Sequence, residues 1–173
     1  MSNKLRTLLS AGLLAGIMLV TPACDWFKGA STATPGTETQ ETSFYLLDAN
    51  PADIYKDAHI PGALHVTLES IDELSKGWNK NAAIVTYCSP TCGTKDIVAK
   101  KLKDAGFNNV KVYRGGITEW YKLSKENKDS YPLEGEAKHS IFKEEATSSP
   151  SKESTESDIT AGELKNHLQQ TKK

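Results

Sequence analysis

Short apolar runs alternate with segments of helical pattern between about residues 43 and 135. Three of the runs have the length and composition of buried strands: Phe44 to Asp48, Ala83 to Cys88, and Val110 to Tyr113. Strands that alternate with helices indicate a parallel sheet. The pattern therefore predicts an α/β domain over 43–135, a small parallel sheet flanked by helices.

The segments around these strands predict four helices. The third has the clearest pattern, because Val98, Leu102 and Ala105 recur at the i, i+4, i+7 spacing of one helix face. Thr94 stands where an N-cap is expected, and Gly106 stands where a glycine commonly follows a helix. The four predicted segments are about 51–58, 70–76, 95–105 and 117–124.

The N-terminal segment, residues 1–23, has a basic start and an apolar run from Leu8 to Val20, which predicts an export signal peptide. A membrane span needs roughly 20 apolar residues, so this run is too short to be one. The small Ala23 directly before Cys24 resembles the lipobox of bacterial lipoproteins. We expect an exported protein in the cell envelope, facing the periplasm or cell exterior and held to the membrane by an acyl chain such as palmitate on Cys24. The alternative is cleavage that releases a soluble protein.

Polar segments flank the predicted domain on both sides. Residues 24–42 are rich in Gly, Ser, Thr, Pro and Gln, which predicts a flexible tether. Residues 136–173 are predicted to be a disordered tail, because the stretch 143–158 has too few apolar residues to offset its ordering entropy. The end of the tail leaves open a frayed terminus or a short helix formed on contact, since three apolar residues stand at near-helical spacing: Ile159, Leu164 and Leu168.

Composition excludes several classes of protein. A chain of 173 residues is too short for a large multidomain enzyme. Its 21 Lys and Arg residues against 22 Asp and Glu residues give no basic footprint for nucleic acid. Three cysteines are too few for a fold built on disulfides, so the role of each one has to be considered separately. They are Cys24, Cys88 and Cys92.

The candidate chemistry lies where the second predicted strand ends. Cys88 closes that strand, and a loop of small residues leads from it into the third predicted helix. Backbone N–H groups in such a loop, together with a helix N-terminus, can bind an anion, and a thiol among them ionises more readily than a free thiol. This placement predicts a nucleophilic thiol on Cys88. The residues expected to form the anion cradle are Ser89, Pro90, Thr91, Cys92, Gly93 and Thr94.

Several motifs, in this order, resemble those of the rhodanese domain. They are His59-Ile60-Pro61-Gly62-Ala63 after Leu46-Leu47-Asp48, Tyr87-Cys88, Ala105-Gly106-Phe107 before Val110, and Gly115-Gly116-Ile117 with Trp120. Rhodanese domains are small α/β folds in which a loop cysteine accepts a sulfane sulfur, holds it as a persulfide and passes it to a nucleophilic acceptor. The resemblance implies that Cys88 is this catalytic thiol. It also implies a small sulfur-containing donor and a thiol acceptor, no metal or organic cofactor, and no particular protein partner.

The loop is one residue longer than in the usual single-domain sulfurtransferases and has no arginine. The related phosphatases and arsenate reductases have loops of that longer kind, but they need Cys-x5-Arg to bind a tetrahedral oxyanion. Thr94 stands in the position of that arginine, which disfavours oxyanion transfer. Lys95 and Arg114 are the candidate substrate-binding cations, although Arg114 is equally compatible with a solvated loop position.

Cys92 forms a Cys-x-x-x-Cys pair with Cys88. It is either a resolving thiol, which attacks a persulfide or sulfenic acid on Cys88, or a small residue packed in the loop. The pair also supports an alternative function, a thiol/disulfide redox-sensing or binding module without sulfurtransferase activity. The spacings of His59 and His65 from the cysteines match no common zinc pattern, so we predict no metal site.

Overall fold

A computed structural model describes residues 43–143 and 156–171 of the chain. The predicted export signal, the tether and the lipidation residue Cys24 all fall within 1–42, outside the described residues. The stretch 144–155 of the predicted tail also falls outside them.

The described elements follow one another in an alternating α/β order. They are β1 (Phe44–Asp48), α1 (Ala52–Asp57), β2 (Ala58–His59), β3 (Leu64–His65), α2 (Ile71–Leu74), β4 (Ala83–Tyr87), α3 (Thr94–Asp104), β5 (Asn109–Tyr113), α4 (Gly116–Glu126), β6 (Glu134–Gly135), a 3-10 turn (Ser140–Phe142), β7 (Asp158–Ile159) and α5 (Ala161–Gln170).

The main sheet of the described region has the strand order β3-β1-β4-β5-β7, and all neighbouring strands are parallel. This confirms the predicted α/β fold with a small parallel sheet, and the three predicted strands form its centre. In the register of the sheet, Asp48 of β1 lies opposite Tyr87 of β4, and Val112 of β5 lies opposite Asp158 of β7. A separate antiparallel pair joins β2 and β6.

The sheet is covered on both faces, which explains the continuous apolar runs in its sequence. Successive residues of a strand point to opposite faces. Accordingly, Leu46 belongs to the apolar core on the side of α1, α4 and α5, whereas Leu47 belongs to the core on the side of α2 and α3. Every residue of β4 is buried. This central strand therefore fixes the position of whatever follows it in the chain.

The four predicted helices are confirmed as α1 to α4, with boundaries that differ by a few residues. In α3, Val98 and Leu102 are buried as their spacing predicted. Gly106 follows the helix with a φ of 88°, a left-handed conformation that favours glycine. Thr94 is the first residue of the helix, and Gly93 takes the N-cap position instead. Among residues 43–143 and 156–171, no helix is long and apolar enough to cross a bilayer.

The predicted disordered tail is wrong for its described residues 136–143 and 156–171. The first stretch contains the 3-10 turn with Phe142 buried, and the second contains β7 and α5. Ile159 and Leu164 are buried in the core, so the edge of β5 and the neighbouring helices supply the burial that the segment lacks in isolation. The Thr160 side chain and the Glu163 side chain each accept a hydrogen bond from the other's backbone N–H, a capping box that fixes the start of α5. The short terminal helix that the sequence left open is present.

Replacing Leu164 by Ala tests this integration of the tail. The side chain is fully buried, so we expect the free energy of unfolding to fall by roughly 2–5 kcal/mol, measured by urea denaturation. Gln169→Ala, at an exposed position of the same helix, is the matched control and should change stability by less than about 0.5 kcal/mol. Equal effects of the two substitutions would show that α5 does not contribute to the core.

Candidate active-site loop

The loop 88–93 connects β4 to α3 at the carboxyl end of the sheet. The chain first proceeds from β1 outward to β3, and then returns to place β4 on the other side of β1. The strand order therefore reverses between β1 and β4. In open α/β sheets such a point forms the crevice where ligands bind, outside the carboxyl ends of the strands. Cys88, the first residue after β4, lies at this point.

The Cys88 thiol is enclosed by its own loop. Its side chain has no exposed surface, and Sγ donates toward the carbonyl oxygens of Cys92 at 3.0 Å and Ser89 at 3.4 Å. Burial, aided by the contact with the Cys92 thiol, raises the pKa of Cys88 to about 12, although the backbone N–H and the charge of Lys95 act in the opposite direction. The prediction that this thiol ionises readily is therefore wrong for the described conformation, because desolvation outweighs the favourable contacts.

The interior of the loop contains an ammonium group. Lys95 is only 3% exposed, and its Nζ donates to the carbonyl oxygens of Cys92 at 2.6 Å, Ser89 at 3.3 Å and Pro90 at 3.4 Å. The same Nζ lies 3.9 Å from Cys88 Sγ. A buried charge requires partners of this kind, and here the loop carbonyls provide them.

This arrangement corrects the predicted cradle of inward-facing amides over 89–94. Three carbonyl groups of the loop converge on the Lys95 ammonium, the N–H of Cys92 donates to Ser89 O at 3.1 Å, and Pro90 has no N–H. The amides that do approach sulfur are those of Thr94 and Lys95, in the first turn of α3. The proline in the loop was a signal in the sequence that a complete ring of amides could not form.

Cys92 differs from Cys88 in both exposure and acidity. It is half-buried, at the start of α3. Partial burial acts to raise the pKa of its thiol, but hydrogen bonds from the Cys88 thiol and from the side chain and N–H of Thr94, with the charge of Lys95, outweigh it and lower the pKa of Cys92. The loop thus holds one enclosed thiol beside one that ionises more easily.

Arg114, at the end of β5, forms ion pairs with carboxylates. Its Nε lies 2.9 Å from Asp158 of β7, and its Nη1 contacts Asp96 in the first turn of α3. The guanidinium therefore joins β5, α3 and β7 rather than standing as a solvated loop residue. Its role in substrate binding stays a prediction.

A close approach of α4 completes the surroundings of Cys88. The N–H of Ile117 donates to Cys88 O at 3.1 Å, and Gly116 has a φ of 61°. A Cβ atom on Gly116 would lie 2.0 Å from Cys88 O. The chain therefore passes closely by the loop at Gly115-Gly116, and only glycine fits at the second position.

Comparison with known proteins agrees with this geometry. The family model described as "Rhodanese-like domain" matches residues 33–123, slightly more than half of the chain. The chain belongs to the rhodanese-like family. The match spans β1 to most of α4 and so contains the whole loop between Cys88 and Lys95.

Curated members of the family similar to this chain are sulfur-transfer proteins. The thiosulfate sulfurtransferase GlpE of Coxiella burnetii is 29% identical over 75 residues, which cover 43% of this chain and 69% of the relative. The putative sulfur carrier protein YrkF of Bacillus subtilis is 28% identical over 80 residues, which cover 46% of this chain and 43% of the relative. These relatives support sulfur transfer in general for this rhodanese-like chain.

Two solved structures are also similar to the chain. The Rhodanese_3-like domain of the Alr3790 protein from Anabaena sp. shows 28% identity and a TM-score of 0.46, covering 56% of this chain and 97% of that one. The BH2092 protein from Bacillus halodurans shows 31% identity and a TM-score of 0.48, covering 59% of this chain and 72% of that one.

The close contact at Gly116 leads to a stability prediction for this rhodanese-like domain. Gly116→Ala combines a left-handed backbone conformation with a clash against Cys88 O, whereas Gly62→Ala has a φ of 79° but open space around the new Cβ. The left-handed conformation alone costs roughly 1–2 kcal/mol for an alanine. We expect thermal denaturation to show a larger loss for Gly116→Ala than for Gly62→Ala. Equal losses would mean that the chain around Gly116 moves away freely.

The raised pKa of Cys88 predicts a steep pH dependence of sulfur uptake. The thiolate is the reactive form, and its fraction grows about tenfold per pH unit below the pKa of the thiol. The rate of a single-turnover reaction with a sulfane donor should therefore rise from pH 7 to pH 10 without levelling off. A plateau beginning near pH 7 would show that Cys88 ionises in a more open state of the loop than the one described.

The sequence interpretation did not foresee where Lys95 lies. Lys95 was predicted as a candidate for binding substrate, and its side chain turns back into the loop that precedes it. A lysine in the first turn of a helix that follows a loop of six residues has the reach to do so. Sequence spacing alone does not distinguish this orientation from an outward one.

Proposed function

We propose that this rhodanese-like chain is a sulfurtransferase that carries sulfane sulfur as a persulfide on Cys88 and transfers it to a thiophilic acceptor. The observation that carries the proposal is the position of Cys88 Sγ, at the carboxyl end of the central strand and 3.9 Å from the buried Lys95 ammonium. That ammonium is the charge that balances an anionic sulfur in the enclosed loop. Membership of the family and the sulfur-transfer relatives add support.

The transfer takes place in two nucleophilic steps. In the first, the Cys88 thiolate attacks the outer sulfur of the donor, a bond forms between the two sulfurs, and the remainder of the donor leaves as an anion. In the second, an acceptor thiolate attacks the outer sulfur of the persulfide, and the Cys88 thiolate leaves. Lys95 lies beside anionic sulfur in both steps. Its positive charge stabilises the Cys88 thiolate that attacks in the first step and the Cys88 thiolate that leaves in the second.

Access to Cys88 requires the loop to move. Cys88 and Ser89 are buried, whereas Thr91 and Gly93 are exposed and Cys92 is half-buried between them. Outward displacement of residues 91 and 92 would uncover Sγ while leaving β4 in place, and it would break the bonds of Cys92 to Ser89 O and Lys95 Nζ. We place the opening of the site in this segment.

We also propose that the protein is exported and lipid-anchored at Cys24, a residue outside the described part of the chain. The support is the sequence alone: a basic start, a short apolar run and Ala23 directly before Cys24. In an exporting bacterial host, the wild-type chain should partition with membranes, and Cys24→Ser should not acquire an acyl chain. Membrane association of Cys24→Ser equal to that of the wild type would contradict the anchor.

Steady-state sulfur transfer tests the enzymatic proposal. Full chain carrying Cys24→Ser, reduced beforehand, is mixed with thiosulfate as donor and a small thiol as acceptor. The result expected is continuous release of sulfite in proportion to protein concentration. Sulfite release no faster than with protein whose thiols have been alkylated would overturn the proposal, provided that the unmodified chain is folded by circular dichroism.

A second candidate function is a thiol/disulfide redox-sensing or binding module. The proximity of Cys92 to the Cys88 thiol, with Cys88 Sγ 3.0 Å from Cys92 O, favours it, because two nearby thiols within one loop can close a disulfide. Such a module would lose its response to a disulfide oxidant with either Cys88→Ser or Cys92→Ser, and it would release no sulfite from thiosulfate.

A further inference from the structure

The two loop thiols are arranged as an interacting pair. Cys88 Sγ lies 3.0 Å from the carbonyl oxygen of Cys92, and each of the two thiols contributes to the shift in the other's pKa. The turn formed by the Cys92 N–H donating to Ser89 O brings the backbone of Cys92 back over the end of β4. In a persulfide on Cys88, the Cys88 Sγ would therefore lie close to a second thiol, that of Cys92.

We propose that Cys92 is a resolving thiol: it attacks Cys88 Sγ in the persulfide, expels sulfide and closes a Cys88–Cys92 disulfide. This inference rests on the proposed persulfide on Cys88 and extends it with a second reaction, the release of sulfide. In a loop with a single cysteine, by contrast, the persulfide sulfur leaves only by transfer to an external acceptor.

The step balances without an external oxidant. The Cys92 thiolate forms a bond to Cys88 Sγ, the bond between that Sγ and the outer sulfur breaks, and the outer sulfur leaves as hydrosulfide with the electron pair and its proton. The two cysteine sulfurs are oxidised to a disulfide, and the sulfane sulfur is reduced to sulfide. A second thiol compound of the dithiol class must then reduce the disulfide, attacking first at the half-buried Cys92.

The surroundings of Cys92 suit it to the role of attacking thiol. The side chain and the N–H of Thr94 donate to its sulfur, and these contacts hold its pKa below the ordinary value. A thiol whose pKa is lowered toward the ambient pH is a more effective attacker in thiol–disulfide exchange. Lys95, which contacts the carbonyl oxygens of both Ser89 and Cys92, holds the two ends of the turn together during the attack.

A single-turnover experiment separates this step from persulfide formation. Reduced full chain carrying Cys24→Ser, in which Cys88 and Cys92 are the only cysteines, receives an excess of thiosulfate with no acceptor thiol present. Sulfite and sulfide are measured against time. Free thiols are then alkylated, and the intact mass is recorded.

The proposal predicts about one equivalent each of sulfite and sulfide, followed by a protein with no alkylatable thiols and the mass of a disulfide. Cys92→Ser should release sulfite but less than about a tenth of the sulfide, and should retain the mass of one extra sulfur atom. Cys92→Ala repeats the test without a hydroxyl. Thr94→Val should slow sulfide release relative to sulfite release and shift the pH profile of sulfide release upward, an effect that a purely structural role would not produce.

Two results would overturn the inference while leaving the proposed function intact: a wild-type persulfide that is stable without sulfide release, or sulfide release from Cys92→Ser as fast as from the wild type. If no form of the chain releases sulfite or gains sulfur, the proposed function itself fails. Thermal denaturation of each variant establishes whether it is folded. If Cys92→Ser is unfolded, the mass and the sulfide yield of the wild-type protein test the proposal.

Discussion

Cys88→Ser should reduce sulfur transfer from thiosulfate by at least about a thousandfold. A serine hydroxyl is not ionised at neutral pH and forms no persulfide, so the substitution removes the atom that carries the sulfur. The change is nearly isosteric at a fully buried site, and we expect the fold to persist. Sulfite release at saturating donor and acceptor is the measurement.

The control for this substitution is Cys24→Ser, which removes a cysteine that lies outside the described residues and should leave the transfer rate of the purified chain unchanged. A Cys88→Ser variant that keeps more than about a tenth of the activity would mean that Cys92 alone transfers sulfur. In that case Cys92 would be the sulfur carrier, and the chain would still transfer sulfur.

Lys95→Met should reduce the rate of sulfur uptake by Cys88 at neutral pH by at least about a hundredfold. A unit charge about 4 Å from a thiolate favours it by about 4 kcal/mol at an effective dielectric constant of about 20, which corresponds to two to three orders of magnitude in thiolate population. The methionine fills a similar volume but supplies no charge and no donors. Single-turnover sulfite release measures the effect.

Lys100→Met is the matched control, because Lys100 lies on the same helix with its side chain 74% exposed. It should leave sulfur uptake within about twofold of the wild type, since charges at exposed positions are screened by solvent. Lys95→Arg, which keeps the charge, should recover part of the lost rate. Uptake by folded Lys95→Met within threefold of the wild type would show that the ammonium shapes the loop without acting on the sulfur.

The sequence was sufficient to predict the centre of this fold because the centre is buried on both sides. β4 has no exposed residue, so its sequence is a continuous apolar run, and the spacing of Val98 and Leu102 on α3 reflects one buried face. The position of Cys88 follows directly, since a residue at the end of a central strand has little freedom. Local pattern and tertiary structure agree at these positions.

The tail could not be predicted by the same reasoning. β7 and α5 contribute Ile159 and Leu164 to a core formed by other elements, so their own composition remains that of a polar segment. One local signal was present: Thr160 followed three residues later by Glu163 is the pattern of a capping box, and it marks the start of α5.

The electrostatics of the loop were the least predictable part of the site. A helix N-terminus after a loop predicts amides that face an anion, but the loop carbonyls of Ser89 and Cys92 turn toward Lys95 instead. The direction of a peptide group depends on one pair of backbone angles, and the residue types in this loop permit more than one choice. The acidity of Cys88 therefore depends on the geometry of the loop rather than on its sequence.

Tandem mass spectrometry of the loop peptide tests the central claim most directly. Cys88 lies in the tryptic peptide of residues 81–95, so fragment ions of this peptide locate any sulfur added to it. Cys92→Ser protein, reduced and folded, is treated with a sulfane donor and alkylated before digestion. We expect one additional sulfur atom on Cys88, removed again by an acceptor thiol; a Cys88 that never gains sulfur in folded, reduced protein would contradict the account.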